Sequence, residues 1–216
     1  MVNANVYSER YVTPEMNLIF SPEYKIWLER RLWISVMKAQ REFGLDIDSE
    51  DIEKYERAIN DIDLDEIARI ELKNKHDVKA RIQHYVKVAG AKGVIHEGMT
   101  SRGLTDNVEQ VQNRDAARII WAKSVSSLRH FGEAMVQCRD MTMTARTHHQ
   151  PAQPTTVGKR FATLAEELML YIGRFQDFIR DYPMRGIKGA VGTQIDMMIL
   201  LKDERKVDEL ERRVMQ

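Results

Sequence analysis

The sequence predicts an all-α protein: a long-helix bundle, cut off within its central helical domain. Three observations predict it. From about Leu104 to Met143 there is no proline and one glycine, Gly132. From Val157 to Ile179 apolar residues recur at near-heptad spacing. And nowhere does the chain show the sustained period-two alternation of a sheet, an internal repeat or a low-complexity tract.

The elements follow in order. Residues 1–20 read as an extended arm. Ser21-Pro22 then reads as an N-cap with proline in the first turn, and Leu32, Val36, Ala39 and Phe43 mark one helix face, which Gly44 ends. Two short helices follow, one over 49–59 with Ile52, Tyr55 and Ile59 inward, one from Leu64 with Ile67 and Ile70. Asp77 to Ala89 is helical, with Val78, Ile82 and Val86 on one side. Residues 90–103, GAKGVIHEGMTSRG, are glycine-rich and read as a loop. The helix from Leu104 carries Trp121, Val125, Leu128, Met135 and Cys138 on one face. At roughly 40 residues it would span ~60 Å, a length that points to a bundle or coiled coil. After the polar stretch 144–160 comes the near-heptad helix, which Pro183 stops. RGIKGAVGTQ at 185–194 reads as a glycine-rich turn. A last helix starts at Ile195 or after Asp203 and carries Val207, Leu210 and Val214.

The expected boundary lies at 103/104, with 1–103 an N-terminal helical domain and 104–216 the first part of a central long-helix domain. Helices this long cannot cover their apolar stripes alone, and the chain stops inside its last helical pattern. The reading is a front part of a longer protein whose partner chains supply further helices.

Composition narrows the function classes. The 216 residues are 43% apolar and 31% charged, ordinary for a folded domain. Thirty-three basic residues balance 33 acidic ones, so no excess of cations is available to neutralise a nucleic acid backbone. No run approaches ~18 apolar residues and the N-terminus has no apolar signal core, so neither a membrane span nor a secretory leader is expected. The lone Cys138 reads as a small buried hydrophobe in a reducing, cytoplasmic compartment.

Three polar clusters interrupt the apolar rod: KNKHD at 73–77, HEGMTS at 96–101 and ARTHHQP at 145–151. Each falls between helices. Helix N-termini there offer free N–H groups to anions; histidine exchanges protons near neutral pH; Thr and Ser donate to carboxylate or phosphate oxygens. A plainer reading makes each histidine an exposed loop residue and Thr155-Thr156 only the cap of the helix that follows. No metal motif is present: His148 and His149 are adjacent, and there is no HExxH or CxxC. The glycines of 185–192 follow no strand and make no dinucleotide fingerprint.

Taken together, these motifs resemble the adenylosuccinate lyases, of the fumarase and aspartase superfamily, over essentially the whole chain. Glu9-Arg10-Tyr11 with Pro14-Glu15-Met16 is similar to the family's opening arm, and Lys75-His76-Asp77-Val78 to its first histidine motif. His96-Glu97-Gly98-Met99-Thr100-Ser101 resembles its H-x-G-x-T-S loop, and Arg146-Thr147-His148-His149-Gln150-Pro151 its R-T-H-x-Q-P signature. Gly186-Ile187-Lys188-Gly189 with Gly192-Thr193-Gln194 resembles the segment after the second bundle helix.

The resemblance implies a cofactor-free, metal-free elimination of fumarate from a nucleotide substrate. It implies that Arg10 and Tyr11 contact the substrate phosphate and that His76 and Asp77 line the site, with Lys75 beside them. Thr100 and Ser101 would hold a carboxylate, Thr147 and Gln194 would bind substrate, and His148 would be the general acid. It further implies a homotetramer whose sites each draw on three subunits, with neither nucleic acid nor membrane as partner. The family's general base is a serine in a mobile loop beyond residue 216, and full members are about twice this length, so the isolated chain is expected to be inactive. His149 stands where relatives commonly have glycine or an aromatic, and Arg102-Gly103 also departs from the pattern of some relatives. The alternatives are a sister lyase, such as argininosuccinate lyase, fumarase or aspartase, and a non-catalytic helical oligomerisation module.

Overall fold

The computed structural model describes residues 6–215. Its elements are α1 Val6–Arg10, α2 Pro14–Ile19, α3 Pro22–Glu42, α4 Ser49–Arg57, α5 Leu64–Asn74, α6 Asp77–Ala89, α7 Ser101–Gln137, β1 Thr142–Thr147, β2 Gln150–Thr156, α8 Val157–Arg180, α9 Ile195–Leu201 and α10 Glu204–Val214. Among the described residues the protein is built of helices with one small hairpin, and its packing forms two compact units: Met1–Asn113 with Pro183–Gln216, and Arg114–Tyr182.

The first unit is built on α3. Ser21 caps it as the sequence predicts, its side chain accepting from Tyr24 N–H at 3.2 Å. Trp33, Val36, Met37 and Ala39 enter a core shared with Tyr55, Tyr85, Leu104, Met197 and Leu210. A smaller cluster joins Ile26, Ile67 and Ala80. Buried Arg30 stitches α3 to the turn after α4, donating to the carbonyls of Ala58, Ile59 and Asp61 at 2.7, 3.0 and 3.0 Å. The chain returns to this unit after α8 because Asn107 exchanges hydrogen bonds with the backbone of Gly186: its amide donates to Gly186 O at 3.0 Å, and Gly186 N–H donates back at 3.1 Å.

The second unit holds the later part of α7, the hairpin and α8. Thr156 caps α8, accepting from Lys159 N–H at 3.2 Å. Gly158 lets α8 start against the end of α7: a Cβ there would lie 2.7 Å from Met135 O. Along the near-heptad stripe of α8, Leu164 is exposed and Phe161, Leu168, Ile172, Phe175 and Ile179 are half-buried.

Several expectations are corrected. The arm is not extended throughout: residues 6–10 and 14–19 are short helices, the second starting on Pro14; residues 1–5 of the expected arm lie outside the described residues. α7 begins at Ser101 rather than 104 and ends at Gln137, so residues 101–103 of the expected loop are helical. The stretch 142–156 is an antiparallel hairpin rather than helix end and loop. Period-two alternation was there in Thr142-Met143-Thr144-Ala145, with Met143 and Ala145 half-buried and the threonines exposed. The last helix is two, broken by Lys202 in the left-handed region and restarted by Asp203, which caps α10. Cys138 is half-buried, its carbonyl accepting from Gly158 N–H at 2.9 Å. Among the described residues no helix is long and apolar enough to cross a membrane, and no cluster of three or more His, Cys, Asp or Glu could hold a metal ion.

Candidate active site

In the first unit, two helix N-termini meet. α5 ends at Lys75, whose left-handed conformation (φ 58°) reverses the chain, and its N–H donates to Glu71 O at 2.8 Å. The next residue, His76, caps α6. Its Nδ1 accepts from Lys79 N–H at 3.3 Å, and its own N–H donates to Asn74 Oδ1 at 3.0 Å. With Nδ1 accepting, the neutral ring carries its proton on Nε2, and that nitrogen lies 3.5 Å from Ser101 Oγ, the first residue of α7. The Asp77 carboxylate, 3.5 Å from Nδ1, competes for the same nitrogen. Asp77 in turn accepts from Arg81 at 2.8 Å. Burial pushes the Asp77 carboxyl up, but the Val78 N–H, Arg81 and the charge of His76 together bring it below the usual carboxylate range. Lys75, His76, Asp77, Thr100 and Ser101 are thus gathered around two helix starts, where free N–H groups and helix dipoles favour a carboxylate or phosphate.

His96 joins them, and the candidate residues drawn from the sequence had not included it. Nδ1 of His96 accepts from the indole N–H of buried Trp33 at 3.0 Å. Burial, and then the charge of His76, push its pKa down to about 4. A neutral ring with its proton on Nε2 follows, a donor rather than a cation. The signal was in the sequence: a histidine heading a glycine loop, at a position that takes φ 75°. The loop is held from two sides. Gln40 donates to Glu97 O at 2.9 Å. Gly98, at φ 70°, lies so close to α9 that a Cβ would sit 2.8 Å from Met197 Cε.

The other expected residues stand on other elements of the first unit or in the second unit. Gln194 caps α9 in the left-handed region, and its side chain donates to Glu211 of α10, which also pairs with Lys188 at 2.5 Å. Arg10 and Tyr11 are exposed at the end of α1, where Tyr11 N–H donates to Tyr7 O at 3.0 Å and the two rings lie 6.2 Å apart. Thr147 and His148 belong to the second unit. His148 and His149 form the two-residue tip of the hairpin between paired Thr147 and Gln150, with φ 48° and 63°. Both positive angles are what a type I′ turn requires. Arg146 braces the tip, donating to His149 O at 3.2 Å. Both rings are exposed.

Six non-glycine residues among those described have positive φ: Lys75, His96, His148, His149, Gln194 and Lys202. All but Lys202 lie in the motifs singled out from the sequence. Each such conformation costs on the order of 1 kcal/mol or more, and strain of this kind gathers at sites that bind or react.

The fold is shared with solved structures of about twice this chain's length. It superposes on a 3-carboxy-cis,cis-muconate lactonizing enzyme from Pseudomonas putida with TM-score 0.82 at 20% identity, over 97% of this chain and 48% of that one. A fumarate lyase from Mesorhizobium sp. BNC1 gives TM-score 0.80 at 20% identity, over 92% and 46%. The family model described as Lyase matches residues 13–211, and the chain belongs to that lyase family. The adenylosuccinate lyase of Saccharomyces cerevisiae is 33% identical over 212 residues, 96% of this chain and 44% of that protein. The chain therefore spans less than half the length of that relative.

Proposed function

We propose that the protein containing this chain is an adenylosuccinate lyase. It cleaves a C–N bond by β-elimination, releasing fumarate from adenylosuccinate to give AMP and from the succinylated aminoimidazole carboxamide ribotide. The observation that carries the reading is the meeting of two helix N-termini at His76 and Ser101. In an elimination of this kind a base removes the proton beside a carboxylate, and negative charge builds on that carboxylate. Donors fixed in advance where the charge develops lower the barrier. Thr100, Ser101 and the first N–H groups of α7 are such donors, with His76 and neutral His96 at their side. The electron pair left by the proton forms the new double bond and expels the amine nitrogen, which takes a proton from His148. Arg10 and Tyr11 hold the substrate phosphate; Lys75, Asp77, Thr147 and Gln194 complete the binding surface. No cofactor enters the reaction.

The half-covered stripe of α8 fits a protein that completes its bundle with further copies. We read the assembly as a cytoplasmic homotetramer in which one site gathers residues of several subunits. The exposed hairpin tip carrying His148 is then a group offered to a site rather than one enclosed by its own chain. The base is a serine supplied from outside these 216 residues, so this chain alone does not turn over.

The test is fumarate release by the whole protein from adenylosuccinate, with argininosuccinate and aspartate as controls. Turnover on adenylosuccinate that falls at least roughly a hundred-fold in His148→Ala supports the assignment, since a general acid contributes on the order of 10²–10⁴. Turnover on a control substrate alone would move the protein to a sister lyase.

A further inference from the structure

Arg81 sits one turn after Asp77 on α6, only 12% exposed. Its Nη2 donates to Asp77 Oδ2 at 2.8 Å, and its Nε lies 2.6 Å from Oε2 of Glu29 on α3. Glu29 is completely buried. Its oxygens have no well-aligned hydrogen bond among the described residues, and the close contact and charge of Arg81 are what answer it. A buried carboxylate held this way gains less from its partner than burial costs. Burial, against the opposing charges of Arg81 and Lys25, pushes its pKa up to about 7. Lys25 itself pairs with Glu109 at 3.0 Å. An apolar residue at position 29 would pack α3 more cheaply, so stability does not explain the pair.

The geometry does. From Glu29 in the core the contacts run to Arg81, to Asp77, to His76 at 3.5 Å and on to Ser101 at 3.5 Å. Asp77 and His76 are half-exposed, and an unbraced carboxylate there would swing between His76 and solvent. We propose that Arg81, anchored by Glu29, is the positioning residue that fixes Asp77, and through it His76, where α6 meets α7, a role that rests on the lyase reading above. Arg81 touches no substrate. It acts by sharing one guanidinium between a core carboxylate and a site carboxylate, which ties the first turn of α6 to α3.

The test uses Glu29→Gln, Arg81→Lys and the double variant Glu29→Gln/Arg81→Gln, which leaves no buried charge unpaired. In the whole protein, kcat and KM are measured for fumarate release; in this chain, the Asp77 carboxylate is titrated by carbon NMR. The double variant is expected to lose roughly ten-fold or more in kcat/KM relative to Glu29→Gln, as misplacement by a fraction of an ångström does. Its Asp77 titration moves to higher pH as the Arg81 contact disappears. Arg81→Lys keeps the charge but cannot serve both carboxylates, and loses several-fold. Equal kcat/KM in Glu29→Gln and the double variant overturns the role, leaving a core ion pair. If the double variant unfolds, Arg81→Lys decides, and full activity there overturns the role equally. Wild-type protein that releases no fumarate overturns the lyase reading and this role with it.

Discussion

The indole N–H of Trp33 donates to Nδ1 of His96 over 3.0 Å, and this bond settles which ring nitrogen of His96 carries a proton. The bond joins the core to the glycine loop, and the burial of the ring it holds makes stability depend on pH. The folded pKa of His96 lies near 4, below the ordinary value of 6.5, because of burial first and the charge of His76 second. Between those values the unfolded chain binds a proton that the folded chain does not. Stability contributed by His96 is therefore present above about pH 6.5 and is lost as pH falls toward 4. Urea unfolding at pH 7 and pH 5 should give a smaller drop for His96→Gln than for wild type. An equal drop would show that burial does not hold the ring neutral.

Glu29 has the opposite sign. Its folded pKa of about 7 stands above the ordinary 4.5, so in that window the folded chain holds the extra proton. Its contribution is greatest below pH 4.5 and is lost as pH rises through 7. Glu29→Gln should therefore gain stability relative to wild type on going from pH 5 to pH 8. Urea midpoints of both proteins at the two pH values check it; a difference that stays constant would mean that the carboxyl titrates alike in folded and unfolded chains, and one that shrinks toward pH 8 that its partners outweigh burial.

What the sequence disclosed depended on range. α3 was legible because Ser21-Pro22 and a regular apolar face act within the helix itself. α8 was legible from its near-heptad spacing. The hairpin was missed because the stretch reads as a polar cluster between two helices, and its two prolines do not rule strands out, since a two-stranded ribbon has only edges: Pro154 lies opposite Thr144 and Pro151 opposite Arg146. At the site, the Lys75-His76-Asp77 run was visible as adjacent letters. Its approach to Ser101, 25 residues on, was suggested only by likeness to a family. The Glu29–Arg81 contact was invisible, since a charged residue inside a helix reads as a solvated face until tertiary packing buries it.

Arg30 offers a test of the fold without the site. Its guanidinium donates to three backbone carbonyls and lies 3.1 Å from Nδ1 of buried His84. Arg30→Met keeps much of the aliphatic packing and takes their donor from Ile59 O, Asp61 O and His84 Nδ1, while Ala58 O keeps the Asp61 N–H at 3.1 Å. At about 1 kcal/mol or more for each buried group left unpaired, the loss should reach roughly 3 kcal/mol in urea unfolding. A loss below about 1 kcal/mol would mean that the carbonyls of 58–61 find other donors.

The hairpin tip separates fold from chemistry. His148 and His149 both hold positive φ, where glycine is at home and histidine is strained. His149→Gly should therefore stabilise the hairpin by about 0.5–1 kcal/mol, and His148→Gly should do the same, because the turn makes the same demand on both. Activity should part them. In the whole protein His149→Gly should retain most of its fumarate release, whereas His148→Gly should lose at least roughly a hundred-fold. The thermal midpoint and kcat of the two variants, measured side by side, check both halves. Loss of activity in His149→Gly with His148→Gly still active would move the acid to the neighbouring ring, and a fall in both midpoints would mean that the histidines support the turn they occupy.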